Sequence, residues 1–335
     1  MAKCFGVIVF LVWGMAIHAQ DVHYSQFYMN PVYLNPALSG NFDGDFRASA
    51  QQRSQWRSVS RPYNTFGFSF ESKQPWVLPG MYHAVNLFHD VAGDGNFRTT
   101  ELGLSTAYQL YLDNDSIHSV TPAVQLSLNH RTIDFSKLSF GSQFNGFYYD
   151  PSLPTNEIFQ TSSRAGFNFA LGAIYSYKPA HRKELVAGVG WFNIPQPKQS
   201  FYNDDGIKRD RRLLFHARAV YALNFEWDVQ PAISAQFQGK YVEVLVGSNF
   251  RYIMKDRKGE YLAPYAGIFY RSADAAYLTG GVYYNNWIAG ISYDINVSGL
   301  TVASKTRGAL EFQLQYIFHI FKPKVAQFRV CPDYL

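Results

Sequence analysis

The sequence predicts an all-β fold, a 14-stranded antiparallel outer-membrane β-barrel with a short N-terminal plug segment. Apolar residues recur at every second position from Phe46 onward, which is the period of a strand with two unlike faces. Several of these alternating segments exceed ten residues, and a tilted strand needs roughly 9 to 11 residues to cross a bilayer. The segments number 14, and single-chain bacterial outer-membrane barrels carry even strand numbers.

The first 19 residues have the layout of a secretory signal peptide. A positive charge at Lys3 is followed by an almost unbroken apolar run over residues 5–17 and by a small residue, Ala19, ahead of the expected cleavage site. We therefore expect residues 1–19 to be removed and the mature chain to begin near Gln20.

The rest of the chain is predicted to form one continuous unit, because no linker or composition shift divides it. We expect a plug segment over residues 20–44, a barrel over residues 45–320 and a periplasmic tail over residues 321–335.

Aromatic residues make up 17% of the chain, which suits rings at the membrane interfaces and on the lipid-facing band. The net charge of +5 is small for 335 residues and its basic residues are dispersed, so nucleic acid is not an expected partner. Cys331 would be the one cysteine left after cleavage, so no intramolecular disulfide is expected.

The alternating segments can be followed in chain order. In one of them Leu102, Leu104 and Tyr108 share one parity, while Gly103 and Ser105 take the other. Strands are predicted near residues 46–56, 63–72, 82–90, 98–112, 116–132, 164–178, 184–193, 213–225, 228–238, 241–253, 260–271, 276–284, 286–295 and 308–320.

The connections between these strands predict how the barrel is oriented. A chain whose N-terminus lies in the periplasm places every odd-numbered hairpin outside. The three longest connections, residues 133–163, 194–212 and 296–307, all fall on that side, where outer-membrane barrels carry their longer loops. A secreted soluble β-sandwich also has alternating strands and stays open as an alternative, although strands this long and aromatic favour a barrel.

Two Asn-Pro pairs precede the first strand. Asn before Pro is disfavoured in the helical region, so Asn35 suits an N-cap with Pro36 at the first helical position and Gly40 closing a single short turn. Asn30 and Pro31 form the other pair. Such a rigid piece could fold into the barrel mouth as a plug or could be a simple periplasmic lead-in, and both interpretations stay open.

Charged residues inside predicted strands should face the lumen or the rims. An Arg facing lipid near the bilayer midplane costs roughly 2–4 kcal/mol. Such lumen charges could hold a plug or could merely pair with each other in a polar interior. We favour the second, structural interpretation. The candidates for the lumen or the rims are Arg53, Trp56, Arg57, Arg271, Asp274, Asp294 and Glu311.

A basic run, IKRDRR over residues 207–212, falls in a predicted outer loop. Its cationic side chains, Lys208, Arg209, Arg211 and Arg212, are expected to bind lipopolysaccharide phosphates, and a specific docking role is the alternative.

No pattern in the sequence predicts catalysis. The histidines do not have metal-ligand spacing, and neither a nucleophile elbow, a phosphate-binding loop nor a CxxC pair is present. We expect neither enzymatic activity nor a cofactor.

Several segments in order resemble the PorP/SprF family of type IX secretion system outer-membrane proteins of Bacteroidetes. The resemblance covers nearly the whole mature chain and rests on the order and spacing of its segments. They are YMNPVYLNPALSG, FRASAQQRSQWRSV, FNIPQPKQSF, QPAISAQFQG, YAGIFYRSADAAYLTGGVYY, AGISYDINVSGL and GALEFQLQYIF.

This resemblance implies an accessory role in type IX secretion and gliding. Members of the family are thought to aid secretion or surface attachment of cargo proteins with C-terminal sorting domains, and to contact a periplasmic peptidoglycan-binding protein. The implied partners are therefore such cargo, that protein, other type IX secretion components, and outer-membrane lipid and lipopolysaccharide. The implied location is the outer membrane.

Two other functions stay open. A FadL-like channel for a hydrophobic substrate shares the fourteen strands, the N-terminal hatch and an Asn-Pro-Ala motif, here Asn35, Pro36 and Ala37. It would need a continuous apolar pocket inside the barrel. A general diffusion porin would need an open, charged lumen without a plug.

Overall fold

The computed structural model describes residues 23–56, 61–202, 204–257, 259–298 and 306–320. Within them, 14 antiparallel strands form one closed barrel. In chain order, β1 to β14 are Phe46–Gln55, Tyr63–Ser72, Met81–Ala92, Phe97–Tyr108, His118–Thr132, Ser163–Ala180, Lys183–Phe192, Arg212–Ala222, Trp227–Gln238, Tyr241–Tyr252, Glu260–Arg271, Ala275–Tyr284, Trp287–Asn296 and Arg307–Phe318. Two short pieces, Leu110–Tyr111 and Lys255–Arg257, extend β4 and β10.

The sheet closes because its first and last strands pair with each other. β1 lies antiparallel to β14, with Phe46 opposite Phe318 and Ser54 opposite Leu310. Every other strand pairs with its neighbours in the chain. Closure leaves no strand edge unpaired, which a sheet in lipid requires. The predicted 14-stranded antiparallel barrel is therefore confirmed, and the soluble sandwich is not the fold of this chain.

The end of β8 lies three residues earlier than predicted. Apolar alternation continues through Leu223 to Phe225, so the sequence predicts that this strand ends at residue 225. In the structure Phe225 lies in the turn before β9 and is 95% exposed. An apolar turn residue that continues the alternation looks like one more residue of the strand. The sequence alone does not show that it lacks a cross-strand partner.

The two faces of the barrel have opposite chemistry. On β2, Phe66 and Phe70 are 40% and 37% exposed on the outer face, whereas Thr65, Ser69 and Glu71 face the lumen and are almost completely buried. Apolar residues outside and polar residues inside are the arrangement expected of a membrane barrel. No helix in the described part of the chain is long and apolar enough to cross a membrane.

The connections are unequal at the two ends of the barrel. Residues 133–162, 193–211 and 297–306 join strands at one end, which we call the long-loop end. The other end, the short-turn end, includes two-residue turns at 181–182 and 285–286. The three longest connections thus lie at one end, as the sequence predicts.

Residues 23–44, called the N-terminal segment below, run inside the barrel. They form three short helices, Phe27–Met29, Pro31–Leu34 and Pro36–Leu38. The main buried apolar cluster lies between this segment and the wall, and it joins Leu34 and Leu38 to wall residues such as Ile174. The segment is thus part of the packed interior.

Candidate functional site

Four charged side chains from four strands meet in the lumen near the long-loop end. Arg53 of β1, Arg271 of β11, Asp294 of β13 and Glu311 of β14 are each at most 1% exposed. Arg53 donates to Asp294 at 2.8 Å and to Glu311 at 3.3 Å, and Arg271 donates to Asp294 at 3.2 Å. We call these four residues the lumen cluster.

The N-terminal segment enters this cluster through Ser25. The Ser25 hydroxyl donates to Asp294 at 2.7 Å and accepts from Arg271 at 2.9 Å and from Arg53. The Ser25 amide donates to one oxygen of Glu311 at 2.8 Å, and the Gln26 amide donates to the other at 2.9 Å. A buried carboxylate is stable only when its oxygens are bonded. The segment therefore completes the hydrogen bonding of the wall charges.

The other predicted lumen or rim residues have different surroundings. Asp274 accepts from Arg271 at 2.8 Å at the long-loop end. Trp56 follows β1 at the same end and has a positive φ of 65°. Arg57 lies outside the described residues. The lumen charges bind each other and also bind the N-terminal segment.

The second Asn-Pro pair docks on the opposite wall. The Asn35 side-chain nitrogen donates to the Val189 carbonyl at 3.0 Å and the Ala173 carbonyl at 3.3 Å. It also lies 3.1 Å from Nε2 of His216. Its oxygen accepts from the amide of Ala37 at 2.9 Å, so Asn35 caps the helix Pro36–Leu38 and binds the barrel at once.

The wall is shaped for this contact by glycine. A Cβ added to Gly172 would lie 2.1 Å from Oδ1 of Asn35 and 2.9 Å from Cγ of Pro36.

The first Asn-Pro pair is different: Asn30 is buried, yet it caps no helix with its side chain, and its Oδ1 has no hydrogen-bond partner in the described part of the chain. Pro31 occupies the first position of the helix that follows.

A further ion pair holds the segment at the short-turn end. Arg47 donates to both oxygens of Glu71, at 2.7 and 2.8 Å, and Glu71 also accepts from the amide of Gly40 at 3.1 Å. Gly40 has a φ of +79°, a conformation that favours glycine. The N-terminal segment is therefore anchored near both ends of the barrel.

The predicted basic outer loop is divided by the structure. Lys208 and Arg211 are exposed. Arg209 is 8% exposed and pairs with Glu101 at 3.0 Å. Arg212 is the first residue of β8, and its guanidinium lies in the lumen over the ring of Tyr33. Its assignment to an outer phosphate-binding loop was wrong, because the strand begins one residue earlier than alternation indicates and turns Arg212 inward.

Sequence reasoning missed several residues that bind the segment. Glu71 and Glu243 lie in strands at the polar parity, which is the signal that could have identified them. Ser25 and Gln26 gave no signal, because they precede the recognisable Asn-Pro pairs and bind through two backbone amides.

His23 begins the described part of the segment and is partly buried, with its side chain 20% exposed. Its Nδ1 lies 3.2 Å from Oε2 of Glu243, which favours the charged imidazolium. Burial acts in the opposite direction and is the larger effect, with the nearby Arg271 and Arg53 adding to it, so the pKa of His23 is held well below its ordinary value of 6.5. The imidazole is therefore neutral at neutral pH.

Two large cavities flank the N-terminal segment. One, of about 320 Å³, lies at the long-loop end and is lined by His23 and Tyr33 of the segment. The other, of about 310 Å³, lies towards the short-turn end and is lined by Tyr28, Met29 and Asn41. Among the described residues, the two cavities share no lining side chain. The segment lies between them.

Comparison with known proteins agrees with this architecture. A sequence model of the family described as type IX secretion system membrane protein PorP/SprF matches residues 16–316. The chain belongs to this family. As a PorP/SprF protein with a closed barrel, it is an outer-membrane protein. The predicted signal peptide lies outside the described residues. No curated protein sequence matches the chain.

Solved structures of hydrocarbon channels resemble this PorP/SprF barrel in fold. The toluene transporter TbuX of Ralstonia pickettii has a TM-score of 0.52 and 11% sequence identity, over 86% of this chain and 94% of its own. The toluene transporter TodX of Pseudomonas putida has a TM-score of 0.47 and 12% identity, over 85% of this chain and 91% of its own. At this identity, the similarity to TbuX shows a shared fold alone.

Proposed function

We propose that this PorP/SprF protein is a closed outer-membrane scaffold, not a catalyst, that aids secretion or surface attachment of cargo bearing C-terminal sorting domains. One observation carries the proposal: the N-terminal segment fills the barrel between two cavities and is bonded to the wall by buried charges. A barrel held in this way is suited to present its rims to partners.

The two rims would have different partners. The long-loop end would face the cell exterior, where its loops offer large exposed apolar side chains such as Phe147 and Ile158, 91% and 81% exposed. The cargo sorting domain would dock there. The short-turn end would face the periplasm and its peptidoglycan-binding partner, and Trp76, 69% exposed, lies in one of its turns. Other type IX secretion components would contact the same rims, and lipid and lipopolysaccharide would surround the wall.

A crosslinking pull-down from native outer membranes, read by mass spectrometry, tests this role. We expect recovery of a large secreted protein with a C-terminal sorting domain and of a periplasmic peptidoglycan-binding protein. Recovery of neither would contradict the scaffold role.

Loop variants make the test specific to each rim. Replacing residues 141–158 by a short Gly-Ser turn should abolish cargo recovery while the periplasmic partner is still recovered. Trp76→Ala is the matched change at the other rim and should spare the cargo. Equal losses of both partners in both variants would indicate a folding defect, which heat-dependent migration of the barrel on gels would reveal.

A FadL-like channel for a hydrophobic substrate is the second candidate. The observation that favours it is the aromatic lining of the cavity at the long-loop end, which includes Tyr63, Phe88 and Phe97. Deletion of the gene should then impair growth on a hydrophobic nutrient and leave cargo secretion intact.

A further inference from the structure

The cavity at the long-loop end combines rings and guanidinium groups in a way that the barrel itself does not require. Its volume of about 320 Å³ lies within the range of small-molecule sites. It is lined by the outer parts of β1 to β5, by the N-terminal segment and by Arg209 of a long loop. The lumen is polar elsewhere, as the buried Ser69, Gln125 and Ser127 show.

Aromatic rings form one part of the cavity wall. Tyr33 of the N-terminal segment stacks on Phe88 of β3, with ring centroids 5.2 Å apart and planes 15° from parallel. Phe88 is 6% exposed and faces inward, on the same parity as the buried Asp90. Phe97 and Trp56 also line the cavity. Rings facing the lumen of a membrane barrel contribute nothing to lipid contact, so a flat apolar surface here suits a planar ligand.

Trp56 adds an observation of a different kind. Its φ of 65° is rare for a bulky residue, and strained backbone of this sort concentrates where a side chain must be held in a particular place. This unusual backbone conformation lies at the point where the Trp56 side chain lines the cavity.

Cationic groups form the other part. Arg131 of β5 lies over the ring of Phe97 at 5.9 Å, and Arg209 donates to Glu101 at 3.0 Å. The acidic residue in the lining, Asp90, is buried and accepts from Thr65 at 2.7 Å. Arg209 is thus compensated by Glu101, and the lining places a second guanidinium, that of Arg131, beside an aromatic ring.

We infer that this cavity binds a small planar aromatic carboxylate, with its ring against Phe88, Phe97 and Trp56 and its carboxylate on Arg131. A guanidinium accommodates a carboxylate through two parallel hydrogen bonds, and the Arg131 guanidinium lies 5.9 Å from the centroid of the Phe97 ring, within reach of a ligand beside that ring. The inference does not depend on the proposed scaffold role, because binding is measured on the isolated barrel.

Titration calorimetry on the full-length mature barrel in detergent tests the site with 2-naphthoate as the probe. We expect one molecule to bind per barrel. The uncharged 2-naphthylmethanol has the same ring and no carboxylate, and it should bind about tenfold more weakly or worse because the charge-assisted hydrogen bonds are absent. Equal binding of the two compounds, or no binding of naphthoate, would overturn the inference.

Variants locate the binding. Arg131→Gln should weaken naphthoate binding about tenfold or more and leave naphthylmethanol binding unchanged. Arg98→Gln is the matched control, since Arg98 is an exposed Arg at the same end of the barrel, on the opposite face of β4 from Phe97. Phe97→Leu should weaken both compounds. Equal effects of the Arg131 and Arg98 variants would contradict the assignment, and gel migration confirms that each variant is folded.

The same chemistry occurs at the end of a protein chain, where an aromatic residue carries a terminal carboxylate. N-Acetylphenylalanine represents that source. Weaker binding of N-acetylphenylalanine than of naphthoate is expected for a small-molecule site. Tighter binding would overturn the proposed ligand class in favour of a peptide terminus.

Discussion

At the scale of single residues, the charged interior of this barrel depends on a serine. Ser25 contacts Arg53, Arg271 and Asp294 through its hydroxyl and Glu311 through its amide. The cluster is therefore not only a set of wall ion pairs. It is an interface between the wall and the N-terminal segment, and a change at one charge should be felt by that segment.

Arg53→Gln should loosen the N-terminal segment. The change removes one partner of a fully buried ion network, which costs about 3–5 kcal/mol. Protease cleavage within residues 23–44, monitored by mass spectrometry, should become faster. Arg251→Gln is the control, because it breaks a comparable wall pair with Asp228. Cleavage that is as fast in the control as in Arg53→Gln would refute the specific coupling.

The two Asn-Pro pairs should respond differently to substitution. Asn35→Ala leaves two wall carbonyls without their donor, and each unsatisfied buried group costs about 1–3 kcal/mol. Asn35→Asp should be worse, because it points a carboxylate oxygen at those carbonyls. Asn30→Ala should have the smallest effect. Thermal unfolding of the three variants gives the order, and an Asn30 variant as unstable as Asn35→Ala would disprove it.

Acid should favour release of the N-terminal segment through His23. Burial lowers the pKa of His23 in the folded chain below its ordinary value of 6.5. Above pH 6.5 the imidazole is neutral in both the folded and the unfolded chain. As the pH falls below 6.5, the unfolded chain binds the proton more readily, so the folded state loses stability. Protease cleavage within residues 23–44 should be faster at pH 5.5 than at pH 7.5. His23→Gln cannot titrate and should lose part of this pH dependence. An unchanged dependence would assign the effect to other groups.

At the scale of elements, the short helices of the segment pack against a part of the wall where glycine leaves space. Gly172 on β6 allows Asn35 and Pro36 to lie against the strand, and the helix Pro36–Leu38 is too short to be stable without this contact. Strand and segment therefore form one packed unit.

Gly172→Ala should displace the segment while the barrel still closes. The added methyl group would lie 2.1 Å from Oδ1 of Asn35, closer than atoms can approach. Gly280→Ala makes the same substitution on β12, where the nearest atom is 3.9 Å away, and should stay within about 0.5 kcal/mol of the parent protein. Cleavage of the segment and thermal unfolding should change for Gly172→Ala alone. Identical behaviour of the two variants would argue against a tight contact at this glycine.

At the scale of the whole molecule, the segment separates a cavity at each end of the barrel. Removing residues 20–44 should join the two cavities. Ion conductance through planar bilayers should rise, whereas shortening the loop at residues 141–158 should leave it unchanged. An unchanged conductance in the deletion variant would show that the segment does not close the pore.

The strands, their closure and their number were predictable from the sequence because strand alternation is local. Each residue in β1 to β14 faces lipid or lumen according to parity, and parity can be read along the chain without knowledge of any partner. The helix cap at Asn35 was predictable for the same reason, since Asn, Pro and Gly act through their own backbone preferences.

What the tertiary structure alone decided is which distant groups meet. Ser25 and Glu311 are separated by 286 positions, and nothing in either local sequence indicates the other. Arg212 was misassigned and Glu71 overlooked because a charge in a strand has no visible partner until the barrel closes. The sequence therefore determined the barrel, through a period that each strand carries in itself. Barrel closure decided where the N-terminal segment is bound and where the two cavities lie. The physical reason is that hydrogen bonds across a lumen join positions that only the folded chain brings together.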